Sequence, residues 1–536
     1  MFASLRAPAL VTVLGFLACT VQAIPKITRT GRYLYDDSGT RFYIKGIAYQ
    51  EQGDVVASTD NPFGEPSNFI DPLSLGDACK RDLPFLQQLG VNVIRVYSVN
   101  STLNHDDCMN AFSQAGIYTI IDLALPLNGS IDRLSPSWGT NLLNQYIHTI
   151  DAFSKYDNVL AFNIGNEVVI QTTTSKSKGS SALVGYAAIN GASNWREPLA
   201  NYLTCDPSNG NSDSSAIDLY GLNDYEWCGD STFQSSYART TAAFAQYNVV
   251  AYFSEFGCIS SPPRLWTESV ALFSSDMNTV WSGGIAFSYF PAASAAGQFG
   301  MVTISQDTKT VTTSDDFDRL KTQYGLVSFI NSPSQSSVAA AAYPSCPAST
   351  DAFLASSTLP PTPNEAACNC LENALSCQFT PATNNYTEVV GQLLNVGCSL
   401  LGQAGASCTD IGGNGSTGVY GRISDCDPTI KLSYVMSQYY EANGKNPQSC
   451  SFAGNGTVNP SSVSAANAAA SSCISNPGAV FTPTAVPTTN GGATGKATAT
   501  GKTGSANAAF GRVDAVLLSM SIMAIFSVIG GVWTLA

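Results

Sequence analysis

Histidine is nearly missing from this chain. Its 536 residues include two, His105 and His148. A Ser-His-Asp triad or a His-rich metal site needs imidazole at the centre of its chemistry, so neither is expected. The expectation is a protein with no metal and no cofactor. Positive charge is also scarce: 25 Lys and Arg stand against 39 Asp and Glu, for a formal charge of −14. Nothing basic is concentrated enough to meet phosphates, which excludes a nucleic-acid partner. Aromatics, by contrast, are plentiful at 10%. Sugars are commonly stacked on aromatic faces, although most aromatics are core residues. The length leaves room for two or more domains and a large core.

Charge is absent altogether from the last 22 residues, Ala515 to Ala536. That stretch is long enough to span a bilayer, and no basic flank follows it. Ahead of it stand Arg512, Asp514 and the small residues Gly504 to Ala509. This is the pattern of a GPI-attachment signal, with Asn507 the first choice for the attachment site and Ser505 or Gly504 next. A single-pass tail anchor is the alternative. At the other end, residues 1–23 read as a secretory signal: Arg6, an apolar segment from Leu10 to Cys19, and Val21-Gln22-Ala23 as the cleavage site. The alternative there is a buried N-terminal helix.

Secretion makes sense of the cysteines. Without Cys19 there are fourteen. Six are spread out: Cys79, Cys108, Cys205, Cys228, Cys258 and Cys346. Eight crowd between Cys368 and Cys473, as in a small disulfide-stapled module. Zinc is the competing reading, but Cys368-Asn369-Cys370 lacks C-x-x-C spacing and no His is near. Sequons at Asn100, Asn128, Asn385, Asn414 and Asn455 also fit a secreted glycoprotein.

The body of the chain alternates strand-like and helix-like segments. Strands are expected at Arg41–Tyr49, Val91–Tyr97, Ile117–Leu123, Val159–Glu167, Ala182–Ile189, Ile217–Asn223, Val249–Gly257 and Ile285–Phe290. Asp77–Leu89 carries apolar residues at helical spacing. Eight strands with helical spacers predict an α/β fold, a (β/α)8 barrel. Several strands close on polar or aromatic residues: Gln50, Tyr97, Asp122, Asn166, Tyr225 and Glu255. The C-terminal ends of barrel strands are where chemistry is placed. Glu167 and Glu255, 88 residues apart on two such ends, suggest a glycosidase pair.

One crossover is short. Between Glu167 and Ala182 lie fourteen residues with no helical apolar pattern, whereas a parallel connection takes about a dozen or more, usually with a helix. Either the fourth crossover is abbreviated or an exon-length fragment is missing. The expected organisation is a signal at 1–23, a barrel over 24–331 and a Ser/Ala/Pro linker over 332–365. A Cys-rich module over 366–475, a Ser/Thr/Gly stalk over 476–507 and a propeptide over 508–536 complete it.

The stretches G-I-A-Y-Q (46–50), V-I-R-V-Y (93–97), N-I-G-N-E-V (163–168), L-A-N-Y-L-T-C (199–205), Y-G-L-N-D-Y-E-W-C-G (220–229), F-S-E-F-G-C (253–258) and V-W-S-G-G (280–284) span the whole barrel. Together they resemble the fungal cell-wall β-1,3-glucanosyltransferases, glycoside hydrolase family 72. The Cys-rich part is similar to that family's C-terminal glucan-binding module, a small, mainly helical domain. The resemblance implies Glu167 as acid/base and Glu255 as nucleophile. It implies sugar contacts from Gln50, Tyr97, Asn166 and Tyr225, and further ones from Asp122, Asp132 and Arg196. It also implies the disulfides Cys79–Cys108 and Cys228–Cys258, a β-1,3-glucan as donor and acceptor, and a monomer anchored at the outer leaflet of the plasma membrane. The chain departs from the family pattern in the short crossover, at Asn190, where the family usually has Asp, and on the eighth strand. There Phe287 stands where the family has Tyr, with Tyr289 two residues on; Asn190 and Tyr289 are therefore added as candidate sugar contacts. Two other readings stay open: a β-glucan hydrolase using the same glutamates, and a non-catalytic wall-binding protein whose barrel the short crossover disables.

Overall fold

A computed structural model describes residues 23–54, 66–126, 137–166, 182–294, 297–382 and 386–476. The signal, Asp132, Glu167, the short crossover, the sequons at Asn128 and Asn385, the C-terminal stalk and Asn507 lie outside the described residues. Among the described residues no helix is long and apolar enough to cross a membrane.

Eight parallel strands close into a barrel. They are β1 (Ile44–Ala48), β2 (Val93–Val96), β3 (Tyr118–Asp122), β4 (Val159–Asn166), β5 (Leu183–Ile189), β6 (Leu219–Asn223), β7 (Val250–Phe256) and β8 (Trp281–Ala286). Sequential neighbours pair throughout, and β8 closes the ring on β1 through Gly283↔Ile44 to Ala286↔Ile47. The strands are apolar on both faces because helices cover one face and the barrel interior the other. Alternation sorts their residues. Ile94 and Val96 of β2 face the helices, while Val93 and Tyr97 belong to the interior cluster. The covering helices include α1 (Gly76–Leu89), α2 (Asp106–Gln114), α3 (Thr140–Phe153), α4 (Ser193–Leu203), α5 (Ala238–Ala243), α6 (Glu268–Leu272) and α7 (Asp315–Leu326). β4 and β5 pair from Ala161↔Leu183 to Asn166↔Ala187, so the barrel is closed across the short crossover.

Most strands start within two residues of the sequence reading, and two start further away. Arg41–Phe42 does not start β1; it is the third strand of a small antiparallel sheet with Thr28–Thr30 and Tyr33–Tyr35. Ile24, Ile27, Leu34 and Phe42 of this region pack with the interior cluster and so stopper one end of the barrel. The eighth strand begins at Trp281, four residues before Ile285. Glycines hid it: Gly283 has φ +97°, and a Cβ there would lie 2.2 Å from the Ile44 carbonyl oxygen. Only glycine lets β8 approach β1 this closely.

The Ser/Ala/Pro segment is no free tether. It runs back over the barrel, with its backbone carbonyls accepting from Tyr35, Arg41, Asn248 and Tyr202. The Cys205–Cys346 disulfide bolts it to the end of α4. Beyond it lies a mainly helical module of α8 (Glu365–Ala374), α9 (Thr387–Gln403), α10 (Pro428–Ala442) and α11 (Ala466–Cys473). Its eight cysteines pair as Cys368–Cys426, Cys370–Cys473, Cys377–Cys450 and Cys398–Cys408. The module touches the barrel where the Thr140 amide donates to the Asp425 carbonyl at 3.0 Å.

Candidate active site

The alternation that builds the barrel also aims the polar residues. On β2, Val93, Arg95 and Tyr97 share the interior face. Asp122 ends β3, Asn163 and Asn166 sit on β4, and Asn223 ends β6. Glu255 reaches the same space through an irregularity: the β7–β6 register shifts between Phe253 and Glu255. The β4–β5 register shifts likewise between Asn163 and Asn166. Bulges near strand ends re-aim side chains in this way.

Arg95 is fully buried at the centre. Its guanidinium donates to Asp122 Oδ1 at 3.2 Å and Oδ2 at 2.7 Å, to Glu255 Oε1 at 3.3 Å and to Asn166 Oδ1 at 3.0 Å. Burial works to lower the Arg95 pKa, but Asp122, Tyr97 and Glu255 outweigh it and keep the cation charged. The guanidinium also lies over the Tyr97 ring, 4.2 Å from its centroid.

Glu255 is 8% exposed. Tyr97 donates its hydroxyl to Oε1 at 2.9 Å, and Tyr225 donates to Oε2 at 2.8 Å. With Arg95, three donors converge on the two oxygens, which is the surrounding of an ionised carboxylate. Burial, with Glu255 adding to it, holds the Tyr97 phenol well above its usual pKa, so it remains a donor.

A cleft of about 530 Å³ opens above this group. Gln50, Tyr97, Asn166, Tyr225 and Glu255 line it, together with the aromatic walls Phe69, Phe287 and Phe299. Gln50 is committed to the rim: its Oε1 accepts from the Tyr97 and Ser98 amides, and its Nε2 donates to the Ile70 carbonyl. Asn166 Oδ1 is held by Arg95 and by Asn223 Nδ2 at 3.2 Å. Its Nδ2 has no partner among the described residues. Asp122 sits beneath the cleft, held by Arg95 and by Asn163 Nδ2 at 2.7 Å.

Three sequence candidates are not brought to the cleft. Asn190 and Arg196 meet each other behind it, at 2.7 Å. Tyr289 is fully buried with its hydroxyl on Asp82 of α1, because the chain turns out of the barrel after Ala286. Phe287, not Tyr289, lines the cleft. Asp132 and Glu167 lie outside the described residues, Glu167 directly after Asn166. Neither histidine is in the cleft: His105 is buried on Asp71, and His148 is exposed. The six spread cysteines pair as Cys79–Cys108, Cys205–Cys346 and Cys228–Cys258; Cys258 also lines the cleft.

Sequence reasoning did not single out Arg95, Asn163 or Asn223. Arg95 left a signal, since a charge inside V-N-V-I-R-V-Y has to find a partner when buried. Asn163 and Asn223 left less, because their partners lie on other strands.

A family model described as Glucanosyltransferase, glycoside hydrolase family 72, matches residues 17–182 and 174–328. Its two segments overlap over 174–182, at the end of the short crossover. A second model, the X8 domain, matches residues 375–457. Among curated relatives, the 1,3-beta-glucanosyltransferase gas1 of Schizosaccharomyces pombe is 39% identical, covering 83% of this chain and 81% of its own. The 1,3-beta-glucanosyltransferase GAS2 of Saccharomyces cerevisiae is 34% identical, covering 81% and 80%. A solved structure of a mutant Saccharomyces cerevisiae Gas2p in complex with laminaritetraose and laminaripentaose superposes with TM-score 0.70 at 32% identity. It covers 84% of this chain and 98% of that one.

Proposed function

Because the chain belongs to the glucanosyltransferase family, glycoside hydrolase family 72, we propose that it remodels cell-wall β-1,3-glucan by retaining transglycosylation. It cleaves an internal β-1,3-glucosidic bond and transfers the new reducing end to the non-reducing end of another glucan, which it elongates. The observation that carries the assignment of roles is the setting of Glu255, an acceptor of three donors at the floor of an aromatic cleft.

In the proposed mechanism Glu255 attacks the anomeric carbon. The glycosidic C–O bond breaks, and Glu167 gives its proton to the leaving oxygen. Glu167 then takes the proton of the acceptor hydroxyl, which attacks the anomeric carbon and releases Glu255. A retaining pair works with carboxyls about 5–5.5 Å apart. For Glu167 to hold its proton, the charge of Glu255 and partial burial have to raise its pKa. Asn166, the last residue of β4, is suited to bond the sugar 2-OH through its amide. Tyr97 and Tyr225 hold the nucleophile and, with Phe287 and Phe299, offer the aromatic surface that keeps an acceptor sugar in place and water out.

The X8 match supports the Cys-rich module as a second glucan-binding unit. Localisation follows the sequence: a signal over 1–23, attachment at Asn507, and a monomer at the outer leaflet within reach of the wall. The test is product analysis of the secreted protein with a reduced β-1,3-glucan oligosaccharide. Products longer than the substrate, absent in both Glu167→Gln and Glu255→Gln, are expected. Shorter products alone would make the protein a hydrolase. No products from folded wild type would favour the binding role.

A further inference from the structure

Behind the cleft, between Asn223 and Tyr225, lies a carboxyl that the mechanism above does not use. Asp224 is completely buried. Its Oδ2 accepts from Asn190 Nδ2 at 3.0 Å, its Oδ1 accepts from the Glu226 amide at 2.9 Å, and its own amide donates to the Glu255 carbonyl at 2.8 Å. The Asn190 amide in turn donates to the Asn223 carbonyl at 3.1 Å. One residue thus ties together the ends of β5, β6 and β7. Asn190 cannot turn freely, because its Oδ1 is taken by Arg196 Nη1 at 2.7 Å and by the Gly191 amide at 2.8 Å.

We propose that Asp224, clasped by Asn190, is a positioning residue that holds Tyr225 and Glu255 in register for the transfer reaction from behind the cleft. The proposal rests on the function given above.

The clasp has a pH limit. Both donors to Asp224 are neutral amides. The charged and titratable groups that act on it or that it acts on are Glu226 on its own loop, Arg196 on α4 and Tyr237 ahead of α5, with Glu255 on β7 joined to it through the backbone. Arg196 is occupied by Asn190 and by Glu197 at 2.6 Å. Burial first, and then Glu226, push the Asp224 carboxyl up to about 8. Above that value a negative charge without a direct cationic partner appears behind the nucleophile, and the rim loosens.

The test is a charge exchange read by transfer kinetics across pH, using the secreted protein and a reduced β-1,3-glucan oligosaccharide. Asp224→Asn sets an amide against a donor, and kcat is expected to fall about tenfold at pH 6, with KM changed less than about twofold. Adding Asn190→Asp restores complementarity, with the new carboxylate directly on Arg196. The double variant should regain kcat to within about threefold of wild type and lose the wild-type decline between about pH 7 and 9. An Asp224→Asn variant with wild-type rate and pH profile overturns the proposal, and so does a double variant no better than the single. If wild type itself makes no transfer product, the functional reading fails separately. The clasp is then judged by melting temperature: the drop from pH 6 to pH 9 should be smaller in Asp224→Asn than in wild type, and an equal drop refutes it.

Discussion

At the scale of single residues, Arg95 organises the site. One buried cation serves two buried carboxylates, Asp122 and Glu255. A buried charge survives only with such pairing. The two tyrosines complete the shell. Tyr97→Phe and Tyr225→Phe each remove one donor to the Glu255 carboxylate, and a bond to a charged group is worth about 1.5–3 kcal/mol. If Glu255 is the nucleophile, each substitution should lower kcat about 10–100-fold with a smaller change in KM, as measured with the oligosaccharide assay. Tyr289→Phe should leave kcat within about twofold, because its hydroxyl faces Asp82 and not the cleft.

At the scale of elements, the strand ends matter more than the strands. Near the ends of β4 and β7, register shifts turn Asn166 and Glu255 to the interior. The seam of the barrel depends on one backbone. Gly283 has φ +97° and sits against the Ile44 carbonyl. Gly283→Ala should therefore destabilise the protein by about 2–4 kcal/mol, visible as a lower melting temperature in calorimetry. The same glycines explain why β8 was expected to start at Ile285: G-G interrupts the apolar run that marks a buried strand. Asp77–Leu89, with uninterrupted periodicity, differs from its observed helix by one residue.

Taken whole, the molecule carries buried acids that oppose alkaline pH. Burial raises Asp224 to about 8, Glu268 to about 7 and, in the module, Glu372 to about 7. In the unfolded chain these groups titrate near their ordinary values, about 4. Between those values the folded state holds more protons, so stability falls as pH rises from about 4 to about 8. Lys431 works the other way: burial lowers it to about 8, so the stability it contributes is present above its ordinary value and is lost as pH falls through about 8. Calorimetry at pH 5 and pH 8 should show the lower melting temperature at pH 8. An unchanged or higher value at pH 8 would mean the carboxyls are not buried as described. The Ser/Ala/Pro strap acts at this scale too, since Cys205–Cys346 spans 141 residues and ties the chain beyond the barrel back onto it.

Local pattern carried the architecture into view. Apolar runs of strand length, helical spacing between them and the even cysteine count are properties of neighbouring residues or of composition, and they sufficed for an eight-stranded barrel followed by a stapled module. The polar strand ends Asn166, Tyr225 and Glu255 were legible for the same reason, since chemistry interrupts an apolar run. Folding alone decided which polar groups meet. Asp122 and Arg95, Asn190 and Asp224, and Tyr289 and Asp82 are paired by closure of the barrel, which brings residues 27 to 207 positions apart within hydrogen-bond reach. Such contacts depend on the register of strands distant in the chain, and no window of sequence contains that information.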